Sequence, residues 1–258
     1  INPFGLTYDA ITASNLTCVD LDGNKVSDDV WPVNRAGYVI HAAIHKARPD
    51  DLHCVMHTHE PFSQSIAALN DEVVPMMQEG CQLFERIGYH DFNGIVLDET
   101  EQEALTTAMG ADKHTLVLKN HGLLTAGPNV AWAFVRHQLF IRNAEIMLRT
   151  MSSGAQISYI PDEIMRHTRE QFEGGAVSKK CASVWSDVVT VCCELSVFLS
   201  SNRRNAGVSV QFVLIKIASS WQLVLGDDLD FGPSPSKEIA SSPAVPFARQ
   251  TSLPNCCV

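Results

Sequence analysis

Basic residues are scarce in this chain. Lys and Arg total 19 against 29 Asp and Glu, a net charge of −10, which opposes attraction to phosphate backbones or anionic lipid and sets nucleic acid aside as a partner. No apolar run approaches the roughly 20 residues needed to cross a bilayer, and the first residues lack the basic-then-apolar pattern of a secretory leader. The expected setting is the cytosol, with no membrane partner. Regularly spaced cysteine pairs are absent too. The chain has eight cysteines in 258 residues, too few for its size to be a disulfide scaffold, so reduced thiols are expected. Cys181, Cys192, Cys193, Cys256 and Cys257 all fall in the final third.

What is present is apolar material, 45% of the residues, enough for one sizeable core. From residue 1 to about 175, strand-like and helix-like segments alternate, the pattern of a mixed α/β domain. Leu16 to Leu21 alternates as a short strand before the turn at Asp22-Gly23-Asn24. Gly37 to Ala47 reads as a helix stopped before Arg48-Pro49. Leu52 to Met56 returns to a strand, and Pro61 suits the first turn of a helix through Leu69. Thr115 to Leu118 is a β-prone run, and Asn129 to Met151 a long helix with Val130, Phe134, His137, Ile141, Ala144 and Leu148 on one face. Residues 176–258 form a divergent tail with apolar runs at Val188–Val191 and Val208–Ile217 and a Ser- and Pro-rich end of disorder-like composition. No chemistry is read there, so metal binding should not need it.

The chemistry lies in three histidines. His57 and His59 follow an apolar strand two residues apart, so on extended chain they point to the same face. His121 stands where a second β run meets Gly122. Three neutral imidazole nitrogens with an open fourth position describe a catalytic zinc site, since structural sites close all four positions. A His-x-His pair also arises by chance in a chain with ten histidines.

Ile1-Asn2-Pro3-Phe4-Gly5, Ile11-Thr12-Ala13-Ser14, His41-Ala42-Ala43-Ile44-His45, Ala47-Arg48-Pro49-Asp50, His57-Thr58-His59 and Asn120-His121-Gly122 together resemble the class II aldolase/adducin family in order and spacing, over residues 1 to about 175. The resemblance implies a three-layer α/β/α sandwich with a mostly antiparallel central sheet, commonly a homotetramer with sites near subunit interfaces. It also implies that His57, His59 and His121 hold a divalent metal, with zinc the expected ion.

Departures from the family pattern narrow the chemistry. Sugar-phosphate aldolases of the family have a catalytic Glu four residues before the histidine matching His41, and here that position is Gly37. Their phosphate-binding hydroxyls match Phe4 and the Arg35-Ala36 pair; Phe4 cannot donate a hydrogen bond, whereas Arg35 can pair with a substrate carboxylate. Gln78-Glu79 resembles the Gln-Glu of the family's sugar-phosphate dehydratases, which makes Glu79 the candidate acid/base residue. The chain also begins inside what looks like a family strand, and the preceding helix and Gly-Asn-type substrate loop are not in it.

The expected activity is a metal-dependent carbon–carbon lyase on a carboxylated small molecule, with decarboxylation favoured. Loss of CO2 from a β-keto or hydroxylated aromatic acid leaves an enolate-like anion and needs an electron sink, a carboxylate anchor and a proton donor. The metal, Arg35 and Glu79 would supply them. An aldolase or dehydratase of the same family, or a non-catalytic adducin-like module, are the alternatives.

Overall fold

The computed structural model describes residues 1–7, 10–11, 15–96 and 99–174, and the backbone of the strands 214–217 and 220–223. Helix α1 (Arg35–Ala47) starts two residues before the expected Gly37, because the Asn34 side chain accepts the Gly37 N–H and caps it. It ends as expected, with Pro49 two residues on. Its residues Tyr38 to His45 are all buried, so it is an internal helix. Strand β1 is Cys54–Thr58 and helix α2 is Pro61–Ala67, opened by Pro at its first turn and capped by the Glu60 carboxylate. A 3₁₀ turn at Glu79–Leu83 precedes β2 (Ile87–His90) and α3 (Glu101–Met109). Strands β3 (Thr115–Leu118) and β4 (Gly122–Gly127) lead to the long α4 (Val130–Ser152), which starts one residue after the expected Asn129 because the Asn129 side chain caps it, and to α5 (Asp162–Gly174).

The sheet order is β1-β4-β3-β2. The β1/β4 and β3/β4 pairs are antiparallel and β2/β3 is parallel, so the sheet is mixed. Alternation along the strands sends Val55, Leu116, Leu118, Leu124 and Ala126 into a cluster with α1 and α3. Val117 and Leu123 go the other way, against Ile66 of α2 and Phe140, Ala144 and Met147 of α4. Helices thus cover both faces. Helix α5 is tied on by Arg169, 7% exposed, which donates to Phe84 O at 3.1 Å and pairs with Glu85.

The expected strand at Leu16 to Leu21 is reduced to a single bridge between Val19 and Lys25. Side chains take the place of a partner strand: the Asp20 carboxylate accepts the N–H groups of Asp22 and Asn24 at 2.9 and 2.8 Å, and Ser27 Oγ accepts that of Cys18 at 2.9 Å. Cys18, Cys54 and Cys81 are not in disulfides. No helix among the described residues is long and apolar enough to cross a membrane. Most of the tail lies outside the described residues; within it, β5 (Leu214–Ile217) pairs antiparallel with β6 (Ser220–Leu223).

Candidate metal centre

Strand β1 brings the first two histidines to the end of the sheet. Val55 and Met56 are fully buried on opposite faces, which fixes the strand's register and leaves His57 on the α1/α3 face, opposite Leu124 of β4. The chain turns away directly after His59, where Glu60 accepts the Ser63 N–H at 3.0 Å.

The third histidine comes from the three-residue turn between β3 and β4. Asn120 sits there with φ 54°, a left-handed conformation that asparagine tolerates better than most residues. Its N–H is held by Ala67 O at 2.9 Å, and the His121 N–H by Leu118 O at 3.0 Å. Gln64 Nε2 donates to His121 O at 3.2 Å. Gly122 then has to be glycine because a Cβ there would lie 2.5 Å from Thr58 O, 3.1 Å from His59 Cδ2 and 3.4 Å from His57 Cε1.

The three rings form a near-equilateral set. Their centroids are 4.8, 4.7 and 4.7 Å apart, with interplanar angles of 77°, 69° and 66°. Each offers a ring nitrogen within 4.8 Å of the others, the one such group of histidine, cysteine and carboxylate ligands among the described residues. His57 Nδ1 donates to Leu123 O at 2.9 Å, which leaves its Nε2 without a proton, 3.0 Å from His59 Nε2. Tetrahedral zinc with bonds of about 2.0–2.1 Å sets nitrogens about 3.3 Å apart. The observed spacing and the bare Nε2 therefore fit a shared divalent cation.

Electrostatics agree. Burial pushes His57 well below the usual imidazole value, and His121, His59 and His41 push the same way. His121 falls to about 4 through burial, then through His59 and His90, and burial lowers His59 too. All three are neutral donors at pH 7, as metal ligation requires.

Residues 1–148 match the model of the Class II Aldolase and Adducin N-terminal domain. The chain belongs to the class II aldolase/adducin family. A solved aldolase II superfamily protein from Pseudomonas syringae is 38% identical, with a TM-score of 0.64 over 73% of this chain and 75% of that one. An adducin-related protein of Schizosaccharomyces pombe is 43% identical over 150 residues, 57% of this chain and 45% of the relative, so the chain spans less than half the length of that protein. An L-fuculose 1-phosphate aldolase from Glaciozyma antarctica shares the fold at 24% identity, with a TM-score of 0.60 over 73% of each chain.

The remaining residues singled out from the sequence sit elsewhere in this class II aldolase/adducin domain. Arg35, at the start of α1, pairs with Glu99 at 2.8 Å and lies 5.0 Å over the Tyr38 ring. Both partners of that ion pair are 45% exposed, so it is worth about 0–1 kcal/mol and is readily exchanged. Glu79 opens the 3₁₀ turn, and a Cβ on the next residue, Gly80, would strike Asn143 Oδ1 of α4 at 2.5 Å. That turn lies against α4 and α5, across the sheet from His57. Phe4 is 65% exposed. At Gly37 a Cβ would meet Ile1 Cδ1 at 2.7 Å, so an apolar side chain occupies the space beside this glycine. His41 lies one turn on, 3% exposed, with a pKa brought down to about 3 by burial and then by His45.

Sequence reading missed the carbonyl of Leu123 and the His90–Glu101 pair, 3.2 Å apart beside the turn that carries His121. It also missed a histidine relay on the opposite face. No local signal announces these, since each partnership spans many residues of chain.

Proposed function

We propose that this chain carries the metal-binding domain of a divalent-metal-dependent carbon–carbon lyase, with zinc as the ion, acting on a carboxylated small molecule by decarboxylation. The observation that supports it is the cage of three neutral imidazoles, closed by no carboxylate from the described residues. A divalent cation held there supplies Lewis-acid polarisation of a substrate carbonyl.

The chain's own residues do the rest. Leu123 O fixes the ring orientation of His57, as a backbone carbonyl commonly does behind a metal-binding imidazole. Arg35, in its exchangeable surface pair, is the candidate anchor for a substrate carboxylate. The carbon–carbon bond to the leaving CO2 breaks, its electron pair stays on the substrate, and Glu79 is the candidate donor of the proton that replaces CO2. Because the Glu79 turn and the cage lie on different faces of one chain, this reading places the donor's partner site in a second copy. A cytosolic homotetramer of three-layer α/β/α domains with a mostly antiparallel sheet is part of the same proposal. Decarboxylation is preferred over aldol cleavage because Gly37 offers no side chain to move a carbon-bound proton.

The same Gly37, together with the similarity to an adducin-related protein, favours a second reading: a binding module without catalysis. Metal analysis separates the two. Purified protein should retain stoichiometric metal, and chelation should abolish conversion of a panel of carboxylated substrates followed by mass spectrometry. His57→Ala and His121→Ala should each lose metal and turnover together. Protein that carries no metal at neutral pH supports the binding module.

A further inference from the structure

His137 of α4 is fully buried, 0% exposed, and takes no part in the cage. Its Nδ1 lies 2.9 Å from Thr125 Oγ1 and its Nε2 2.7 Å from Thr58 Oγ1. Thr125 is itself fully buried and donates its single hydroxyl proton to Ala133 O at 2.9 Å. A backbone carbonyl can only accept, so Thr125 must accept from His137, which puts the imidazole proton on Nδ1. Burial holds the His137 pKa down at about 3, so Nε2 is bare and Thr58 must be the donor to it. The direction of every bond is thus fixed: Thr58 to His137, His137 to Thr125, Thr125 to the carbonyl.

Thr58 is the residue between His57 and His59. Successive strand side chains point to opposite faces, so a threonine held beneath the sheet commits the histidine before it, and the one after it on the extended chain, to the upper face. A valine would fill the same volume without that hold. The relay also runs through the end of β1, where a Cβ on Gly122 would lie only 2.5 Å from Thr58 O, so a small shift of the strand there would separate the histidines.

We infer that His137 is a positioning residue for the three-imidazole cage, acting through the hydroxyl of Thr58, which it holds on the opposite face of the sheet. The inference rests on the reading that the cage binds a divalent cation. It predicts a defined energetic path from α4 to the ligands, separate from the carbonyl support given by Leu123.

The test is titration of the full metal-free chain with Co2+ and Zn2+, following the visible cobalt bands for geometry and calorimetry for affinity. Thr58→Val keeps size and β-preference but removes the donor, and should weaken metal binding about tenfold or more and alter the cobalt spectrum, while circular dichroism stays native and the metal-free melting point falls only by the roughly 2–12 °C that one unpaired buried acceptor costs. Thr58→Ser keeps the donor and should bind like the parent chain. In a double-mutant cycle, His137→Gln should cost little further affinity once Thr58 is valine. If Thr58→Val does not fold, Thr58→Ala is compared with Thr58→Ser in its place. Unchanged affinity and spectrum in the folded donorless variant overturn the inference, as does additivity in the cycle. A parent chain that binds neither ion overturns the metal reading itself, and so is distinguishable from failure of the relay alone.

Discussion

Gly122→Ala tests the geometry of the cage most directly. Gly122 is not among the glycines with positive φ, so alanine costs nothing through backbone conformation and any loss comes from contact. The added methyl would lie 2.5 Å from Thr58 O, a backbone atom that cannot swing aside, so β1 and β4 must part at the end beside the three histidines. Overpacking of this kind costs about 1–3 kcal/mol, and the His57 Nδ1 bond to Leu123 O, now 2.9 Å, would lengthen, at about 1 kcal/mol. At about 2–4 °C per kcal/mol, the melting point should fall roughly 5–15 °C, and metal affinity should weaken about 10- to 100-fold. Thermal unfolding of metal-free protein and calorimetric titration with zinc measure the two losses separately. Gly174→Ala, at the end of α5 where a Cβ would meet nothing within 4 Å, is the control and should leave metal affinity unchanged and the melting point no lower. If Gly122→Ala melts and binds like the parent chain, the strand ends are not in contact as described and the account of the cage fails.

Acid should destabilise the metal-free protein in a defined window. His121 is lowered to about 4, and His41 and His137 to about 3, whereas an unfolded histidine titrates near about 6.5. The unfolded state therefore binds protons first. The stability that these groups contribute is full above about pH 6.5 and is lost as pH falls towards 4 and 3. Urea unfolding at pH 8 and pH 5 should show the lower midpoint at pH 5; equal midpoints would mean that the rings are hydrated. Glu79→Gln should slow turnover at least about 100-fold while metal content stays native, if this carboxyl moves the proton. Near-native turnover would remove Glu79 from the reaction and leave the cage untouched.

Local signals in the sequence located the elements that position the site. Pro49 and Pro61 mark helix ends through ring constraints that act within a few residues, and α1, α2 and α4 begin and end within two residues of where the sequence sets them, whereas the Asn34 and Asn129 caps were seen only in the structure. Strand β3 was legible as a β-prone run. Strand β4 was not: Gly-Leu-Leu-Thr-Ala-Gly is buried on both faces throughout, so it shows no alternation to read. Strand β2 hides a glycine that tertiary contact demands, since a Cβ at Gly88 would meet Ala108 O of α3 at 2.1 Å. At Leu16 to Leu21 alternation misled, because nearby polar side chains satisfied the backbone instead.

The histidines of the site were visible because their spacing and strand-end positions are local properties of the chain. What they do to one another was not. That His57 and His59 meet His121, that Leu123 O sets the His57 tautomer, that Arg35 is engaged by Glu99 and that His137 reaches Thr58 from 79 residues away are decided only when the sheet closes. Side-chain chemistry and backbone propensity are written residue by residue; distance, burial and the direction of a hydrogen bond exist only between residues that folding has brought together.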